Sequence, residues 1–307
     1  MSLSVVFLGT AGSIPTLQRG LPAIAVQRKG ELILFDCGEG VQRQMIRAGI
    51  GFHRKTKVFV THMHGDHVLG LPGLFQTMSL LDRERKLEVY GPSGIRAFVD
   101  ATQQTVQFTL TFPLEVVEIE DAGVVCKERE YEVHAIWVDH VIPSLAYALT
   151  EKPRPGKFYP EKAIALEVPE GPLWSKLQHG SAVVLSNGRV VKPEKVLGPP
   201  RPGRKIVYTG DTRYLKNLAE FAENADLLIH DATFDDDLWE RAREDGHSTP
   251  SQAGKTAKKA GAKRLVLTHI SARYKEAGLL LEQAKKVFSH VDLAEDFMRI
   301  NLPLLDA

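Results

Sequence analysis

The feature that most constrains this 307-residue chain is a cluster of three histidines and one aspartate within residues 62–67. The apolar residues 58–60 precede the cluster and predict a short buried strand. Alternate side chains of an extended chain point the same way, so His62 and His64 can face one point. The glycine that follows allows a sharp turn, after which the aspartate and the third histidine return to that point at the start of a helix.

This set of side chains suits a divalent cation such as Zn²⁺, which binds imidazole nitrogen and carboxylate oxygen. Four candidate ligands are too many for one ion that also keeps an open coordination position, so two adjacent ions would share them better. A histidine-rich turn with solvated side chains is the alternative. The order His-x-His-x-Asp-His at the end of a strand favours the metal site.

The composition is that of a globular protein, with 43% hydrophobic and 25% charged residues. The length allows two ordinary domains or one large α/β domain. The net charge of +1 gives no global attraction to nucleic acid, so such binding needs a local patch.

Two distant cysteines, Cys37 and Cys126, predict buried free thiols in a reducing compartment. Without a signal-peptide pattern or a bilayer-length apolar run, we expect a soluble cytoplasmic protein that does not contact a membrane.

Four later segments repeat the pattern of an apolar strand that ends in a histidine or an aspartate. They lie at residues 135–140, 206–212, 225–231 and 264–269, and helices are predicted near 214–223, 250–260 and 276–288. The strand ends of stacked α/β layers meet along one edge, where open sheets place their sites. We therefore predict two sheets between helices, with a two-metal site on the shared rim. Asp36, at the end of another predicted strand, is expected to be a helix N-cap or the partner of a ligand histidine.

Residues 151–200 differ in composition from the rest of the chain. The stretch 151–160 is rich in proline and basic residues and contains Phe158 and Tyr159. Such a composition does not build a central sheet and predicts a protruding arm. Basic residues interleaved with aromatic ones favour contact with phosphates and bases. A plain surface insertion is the alternative.

The motif over residues 61–67 resembles the signature of the metallo-β-lactamase superfamily. Within it, the chain resembles the tRNase Z (ribonuclease Z) family in its short form. The supporting segments are His140 with Ser144 and Tyr147, Gly210-Asp211-Thr212, Thr268-His269, Pro169-x-Gly171-Pro172 and His247-Ser248-Thr249. The resemblance covers nearly the whole chain.

Two segments depart from the pattern of that family. Its His-Glu-Ala-Thr motif is His230-Asp231-Ala232-Thr233 here, which shortens the acidic side chain by one methylene. Its Pro-x-Lys-x-Arg-Asn loop, which helps the family sense the 3′ end of tRNA, is residues 15–20 here and lacks the lysine and the asparagine.

The resemblance implies a four-layer αββα metallo-β-lactamase-like sandwich, a single domain over residues 1–307, with a flexible arm inserted at residues 151–178. It also implies a homodimer in which the arm of one subunit holds the tRNA that the other cuts. Two Zn²⁺ ions per subunit are implied: one on His62, His64 and His140, and one on Asp66, His67 and His269, with Asp211 bridging them. The expected RNA-binding residues of the arm are Lys152, Arg154, Lys157, Gly171 and Pro172.

The implied activity is that of a zinc-dependent endoribonuclease that removes the 3′ trailer from precursor tRNA and leaves a 3′-hydroxyl. Asp66 is expected to accept a proton from the attacking water; a purely ligating role is the alternative. His247 is expected to stabilise the phosphate and protonate the leaving oxygen, held in place by Asp231. The alternative for His247 is a loop residue that caps the next helix, and His230 could support a neighbouring group.

Two other functions fit part of the pattern. A small-substrate hydrolase on the same metal scaffold, acting on cyclic nucleotides or thioesters, would need no arm. A non-catalytic RNA-binding or scaffold protein could keep zinc for stability, although the full ligand set and His247 disfavour it.

Overall fold

The computed structural model describes residues 3–304. Its strands are β1 (Leu3–Gly9), β2 (Ala11–Gly12), β3 (Ala23–Arg28), β4 (Glu31–Phe35), β5 (Lys55–Phe59), β6 (Leu87–Gly91), β7 (Leu114–Glu118), β8 (Gly123–Lys127), β9 (Tyr131–Val138), β10 (Ser144–Glu151), β11 (Val183–Val184), β12 (Val190–Val191), β13 (Lys205–Tyr208), β14 (Leu227–Asp231), β15 (Leu265–Thr268), β16 (Ile270–Ser271), β17 (Val291–Leu293) and β18 (Arg299–Leu302). Its α-helices are α1 (Val41–Arg47), α2 (Gly65–Val68), α3 (Gly70–Leu80), α4 (Ile95–Thr105), α5 (Pro160–Ala165), α6 (Pro172–Gln178), α7 (Lys216–Phe221), α8 (Trp239–Asp245), α9 (Pro250–Ala260) and α10 (Gly278–Lys285).

Two mixed sheets of seven strands each carry the fold. The first has the order β18-β1-β3-β4-β5-β6-β7, and β4 to β7 run parallel. The second has the order β17-β15-β14-β13-β10-β9-β8, and β13, β14, β15 and β17 run parallel. Parallel neighbours end at the same edge of a sheet, so the polar residues that follow these strands are brought together.

Strands such as β1 and β14 are buried along their whole length because both of their faces are covered. Along β1, Val5 and Phe7 belong to the core between the sheets, whereas Val6 and Leu8 belong to the core under the helices of the first sheet. Along β14, Leu227 faces the inner core and the next residue faces the helices of the second sheet. Helices cover the outer face of each sheet, which confirms the predicted four-layer α/β sandwich.

Aromatic side chains from both sheets meet in the inner core. The ring of Phe35 lies 6.0 Å from that of Tyr147 and 5.9 Å from that of Tyr208. Such pairs contribute roughly 0.5–1.5 kcal/mol each beyond the burial of their area. They hold together the two strand edges from which the polar cluster projects.

Residues 151–204 form a compact unit distinct from the unit that comprises residues 3–150 and 205–303. This smaller unit contains α5, α6 and the hairpin of β11 and β12, which forms a sheet of its own. It has its own apolar core, and in it the indole of Trp174 donates a hydrogen bond to the carbonyl of Val168 at 2.9 Å. The predicted arm, residues 151–178, is the first part of this unit and stays a prediction.

Both cysteines are buried and free, as predicted from their spacing. Within residues 3–304, no helix combines the length and the apolar character that crossing a bilayer requires.

Candidate metal centre

The histidines and aspartates predicted as metal ligands lie in one cluster, partly open to solvent, at the edge where the strands end. They arrive from β5 and α2, from the loop between β9 and β10, and from the ends of β13 and β15. These predicted ligands are His62, His64, Asp66, His67, His140, Asp211 and His269. They form overlapping groups of donor atoms within 4.8 Å of one another, and His247 joins Asp211 and His269 in one such group. The structure therefore brings together all seven predicted ligands.

One half of the cluster consists of three imidazoles. Nε2 of His62 lies 3.0 Å from Nδ1 of His64, and Nε2 of His140 lies 3.2 Å from the same atom. The other half contains Asp66, whose Oδ2 lies 3.5 Å from Nε2 of His67 and 3.4 Å from Nε2 of His269.

Asp211 lies between these two halves. Its Oδ2 is 3.7 Å from Nε2 of His62, 3.3 Å from Nε2 of His67 and 3.1 Å from Nε2 of His269. A single carboxylate oxygen thus contacts imidazoles of both groups. This is the position that a bridging ligand requires.

The donor set fits a pair of borderline divalent cations. Burial lowers the pKa of His62, His64 and His140, which keeps their imidazoles neutral and leaves lone pairs for a metal. Facing imidazole nitrogens cannot all satisfy one another by hydrogen bonds, and several such groups in one buried space are costly without a cation. The mixed nitrogen and oxygen donors are those that zinc accepts.

Two of these histidines are oriented by hydrogen bonds from their other ring nitrogen. Nδ1 of His67 lies 2.7 Å from Oδ2 of Asp36, and Nδ1 of His140 lies 2.8 Å from the carbonyl oxygen of Gly246. If Nδ1 carries the proton in each, Nε2 is free to face the cluster. Asp36 is therefore the partner of a predicted ligand, whereas the residue at the N-cap of α1 is Gly40.

Gly246 allows this approach to His140. Its φ of 85° lies in the left-handed region, and a Cβ there would lie 2.5 Å from Nδ1 of His140. Any other residue would displace the ring.

Thr233 links a candidate ligand to a neighbouring carboxylate, a role that sequence reasoning missed. Its hydroxyl donates to Oδ1 of Asp231 at 2.6 Å and lies 2.7 Å from Nδ1 of His269. A hydroxyl that donates to Asp231 can still accept the Nδ1 proton of His269. Nε2 of His269 then faces Asp66 and Asp211.

His247 and Asp231 form the predicted pair beside the cluster. Nδ1 of His247 lies 3.0 Å from Oδ2 of Asp231, which also accepts from the backbone N–H groups of Thr212 and Ser248. The shorter acidic side chain of this chain therefore still reaches the histidine. Burial lowers the pKa of His247, but the carboxylates of Asp231 and Asp211 outweigh it and raise the pKa to about 9.

The helix that follows His247, α9, is capped by Thr249 and not by His247. Thr249 donates its backbone N–H to Oε1 of Gln252 at 3.0 Å, which gives α9 its N-terminal cap. His230, by contrast, is fully buried and contacts the carbonyl of Asp231 through Nδ1 at 2.8 Å, outside the candidate ligand groups.

A cleft of about 560 Å³ opens onto the cluster. The predicted ligands His64, His140 and Asp211 line it together with His247. Further lining residues that the sequence did not single out are Ser13, Phe234, Arg241 and Arg273. Ser13 donates its backbone N–H to Oδ2 of Asp66 at 2.9 Å, which places the segment after β2 at the rim.

The loop over residues 15–20 is anchored near its C-terminal end, whereas its tip is exposed. Arg19 donates to the Thr10 hydroxyl at 2.7 Å and to the Ala294 carbonyl at 2.6 Å, while Leu17 is 99% exposed. The exposed leucine stands where the family pattern has its lysine.

We expect Thr233→Val to weaken metal binding and catalysis by roughly tenfold to a hundredfold, because the hydroxyl that orients His269 is lost while the side-chain volume is kept. Thr233→Ser, which keeps the hydroxyl, should restore both to within a few-fold. Competition with a chromogenic chelator measures the metal affinity. Equal behaviour of the valine and serine variants would show that the methyl group, not the hydroxyl, matters.

Comparisons with known proteins point the same way as the geometry. The profile described as "Beta-lactamase superfamily domain" matches residues 176–270, and the one described as "Anti-Pycsar protein Apyc1" matches residues 3–150. The chain is 49% identical over 302 residues to a protein named ribonuclease Z from Methanosarcina acetivorans, with 98% of each chain covered. It is 46% identical over 306 residues to the ribonuclease Z of Myxococcus xanthus, with 99% of each covered. The crystal structure of human tRNase Z, short form, is 33% identical, with a TM-score of 0.71 over 98% of this chain and 99% of that one.

Proposed function

Because this chain belongs to the ribonuclease Z family, we propose that its histidine and aspartate cluster holds two Zn²⁺ ions at the active centre. The chain has the α/β metallo-β-lactamase fold and is a metal-dependent endoribonuclease, a phosphodiester hydrolase that processes the 3′ end of precursor tRNA. The relatives favour this function over a small-substrate hydrolase or a non-catalytic scaffold. The observation that carries the zinc proposal is that one oxygen of Asp211 lies between the two ligand groups.

The proposed ligands divide as the contacts do. His62, His64 and His140 would hold one ion, Asp66, His67 and His269 the other, and Asp211 both. Such a pair supplies Lewis acidity toward the phosphate oxygens and lowers the pKa of a water molecule near it. The buried carboxylates of Asp66 and Asp211 offset part of the positive charge of the two cations.

Two residues of the chain are proposed to move protons. Asp66, fixed by the backbone N–H of Ser13, accepts the proton of the attacking water. His247 carries the proton that neutralises the leaving 3′-oxygen of the tRNA, and Asp231 keeps its ring oriented toward the cleft. Asp231 is itself held by surrounding N–H and hydroxyl donors, so the pair is preorganised before the substrate binds.

Incubation of the purified protein with a 3′-extended tRNA tests this function. We expect cleavage near the discriminator base that a strong chelator abolishes and added zinc restores, because the proposed chemistry depends on the metal pair. Mapped product ends and metal content per chain give the readout. A cut that survives complete removal of the metal would contradict the proposal.

We also propose that the smaller unit contains the RNA-binding residues Lys152, Arg154, Lys157, Gly171 and Pro172. Lys157 is exposed, whereas Lys152 and Arg154 are half-buried. Gly171 has φ 120° and ψ −135°, a conformation open to glycine, and Pro172 follows as the first residue of α6. The three basic side chains supply positive charge, and Gly171 supplies a sharp turn before α6.

The Michaelis constant for precursor tRNA should rise steeply with salt, because bound cations displace counterions from the RNA. Combined replacement of Lys152, Arg154 and Lys157 by alanine should lower the slope of log KM against log salt concentration by up to about three, roughly one for each charge removed. Lys127→Ala, at an exposed position on β8, is the matched control. A Michaelis constant that is independent of salt in the wild type would contradict the assignment.

A homodimer, in which the arm of one subunit holds the tRNA cut by the other, and a cytoplasmic location follow from the family resemblance and stay predictions.

A further inference from the structure

Two arginines from different parts of the chain converge on one aromatic ring at the active cleft. The guanidinium carbon of Arg273 lies 4.8 Å from the ring centroid of Phe234, and that of Arg241 lies 5.8 Å from it. Arg241 belongs to α8, and Arg273 belongs to the turn after β16. All three residues line the cleft that also contains Asp211 and His247.

Phe234 is held in place by its neighbours in the active centre. It directly follows Thr233, is only 5% exposed, and its ring lies 5.9 Å edge-on from the imidazole of His247. Because cations are attracted to the face of an aromatic ring, a ring in a fixed position restricts the positions of both guanidinium groups. The two positive charges therefore lie in the same part of the cleft as His247, the proposed proton donor.

Each guanidinium keeps donors for a ligand. Arg241 uses Nε to contact Oδ2 of Asp245 at 3.2 Å, and Arg273 uses Nε to contact the hydroxyl of Ser271 at 3.2 Å. Both side chains are exposed, so their Nη groups can reach a solute in the cleft. Planar guanidinium donors match phosphate oxygens in pairs.

The metal cluster already accounts for one phosphate, the scissile one. A chain of nucleotides carries further phosphates on either side of it, and a small diester does not. We propose that Arg241 and Arg273, held against Phe234, form a subsite for the backbone phosphates next to the scissile bond. This subsite rests on the proposed function, and it would make the centre select oligonucleotides over isolated diesters.

The test compares a 3′-extended tRNA with bis(p-nitrophenyl) phosphate in Arg241→Ala, Arg273→Ala and the double variant. For each single variant we expect kcat/KM on the RNA to fall by roughly tenfold to a hundredfold, because one charge-assisted contact is lost. This fall should be at least ten times larger than the fall in kcat/KM on the small diester. The salt slope of RNA binding should fall by about one per arginine. Arg129→Ala, an exposed arginine in the turn between β8 and β9, is the control and should match the wild type.

A second measurement does not depend on tRNA cleavage. A non-cleavable phosphorothioate-linked pentaribonucleotide should inhibit hydrolysis of the small diester far more strongly than a 5′-mononucleotide does, and the double variant should lose most of that difference. Equal losses on both substrates, or an unchanged preference for the pentanucleotide in the double variant, would overturn the subsite. Failure of wild-type cleavage with an intact, arginine-dependent preference would reject the proposed tRNA function and retain the subsite.

Discussion

Asp211→Asn is expected to lower RNA cleavage by at least about a thousandfold while the fold is kept. The substitution preserves shape but removes the charge of the oxygen that contacts imidazoles from both halves of the cluster. Metal pairs stabilise transition-state charge by several kcal/mol, and each 1.4 kcal/mol corresponds to a factor of ten in rate. Metal content, measured on the folded variant, should fall below that of the wild type.

The matched control for this prediction is Asp121→Asn, the same change at an exposed position before β8. It should leave metal content and cleavage within twofold of the wild type. If the Asp211→Asn protein kept both its metal and its activity, the central position of this carboxylate would have no catalytic meaning.

His247→Ala is expected to lower cleavage of precursor tRNA by roughly a hundredfold to ten-thousandfold, the range for loss of a positioned proton donor. Metal content should stay unchanged, because the proposed ligand set does not include this residue. Hydrolysis of bis(p-nitrophenyl) phosphate should fall much less, since its leaving group departs as a stable anion without being protonated. The ratio of the two losses therefore isolates proton donation from metal binding.

Asp231→Asn should resemble His247→Ala, and the double variant should be little worse than either single one, because the two residues act as a unit. His53→Ala, at an exposed position, is the control. Equal losses on the RNA and the small diester would instead place His247 in support of the metal cluster. Unlike the arginine variants, His247→Ala should leave the salt dependence of RNA binding unchanged.

Much of the centre could be predicted from the sequence because its donors follow apolar strands. Asp211 and His269 each stand just beyond a buried strand, and parallel strands end at one edge of a sheet. The helix at residues 250–260 was also predicted with its observed ends, because its capping residues are local. These signals need only neighbouring residues.

The sequence indicated that Asp36 caps a helix or supports a ligand histidine, but it did not indicate which histidine, and it gave no signal for Thr233. Asp36 and His67 are 31 residues apart, and Thr233 and His269 are 36 apart, with no periodicity that connects them. Arg241 and Arg273 look like ordinary surface arginines until the fold places both against Phe234.

The amino-acid order by itself determined which chemical groups this protein has and on which strand ends they stand, because strand and helix patterns are local. Only the tertiary structure decided that Thr233 joins His269 to Asp231 and that two arginines share one ring. Those relations depend on how two seven-stranded sheets pack face to face, and packing brings together residues far apart in the chain.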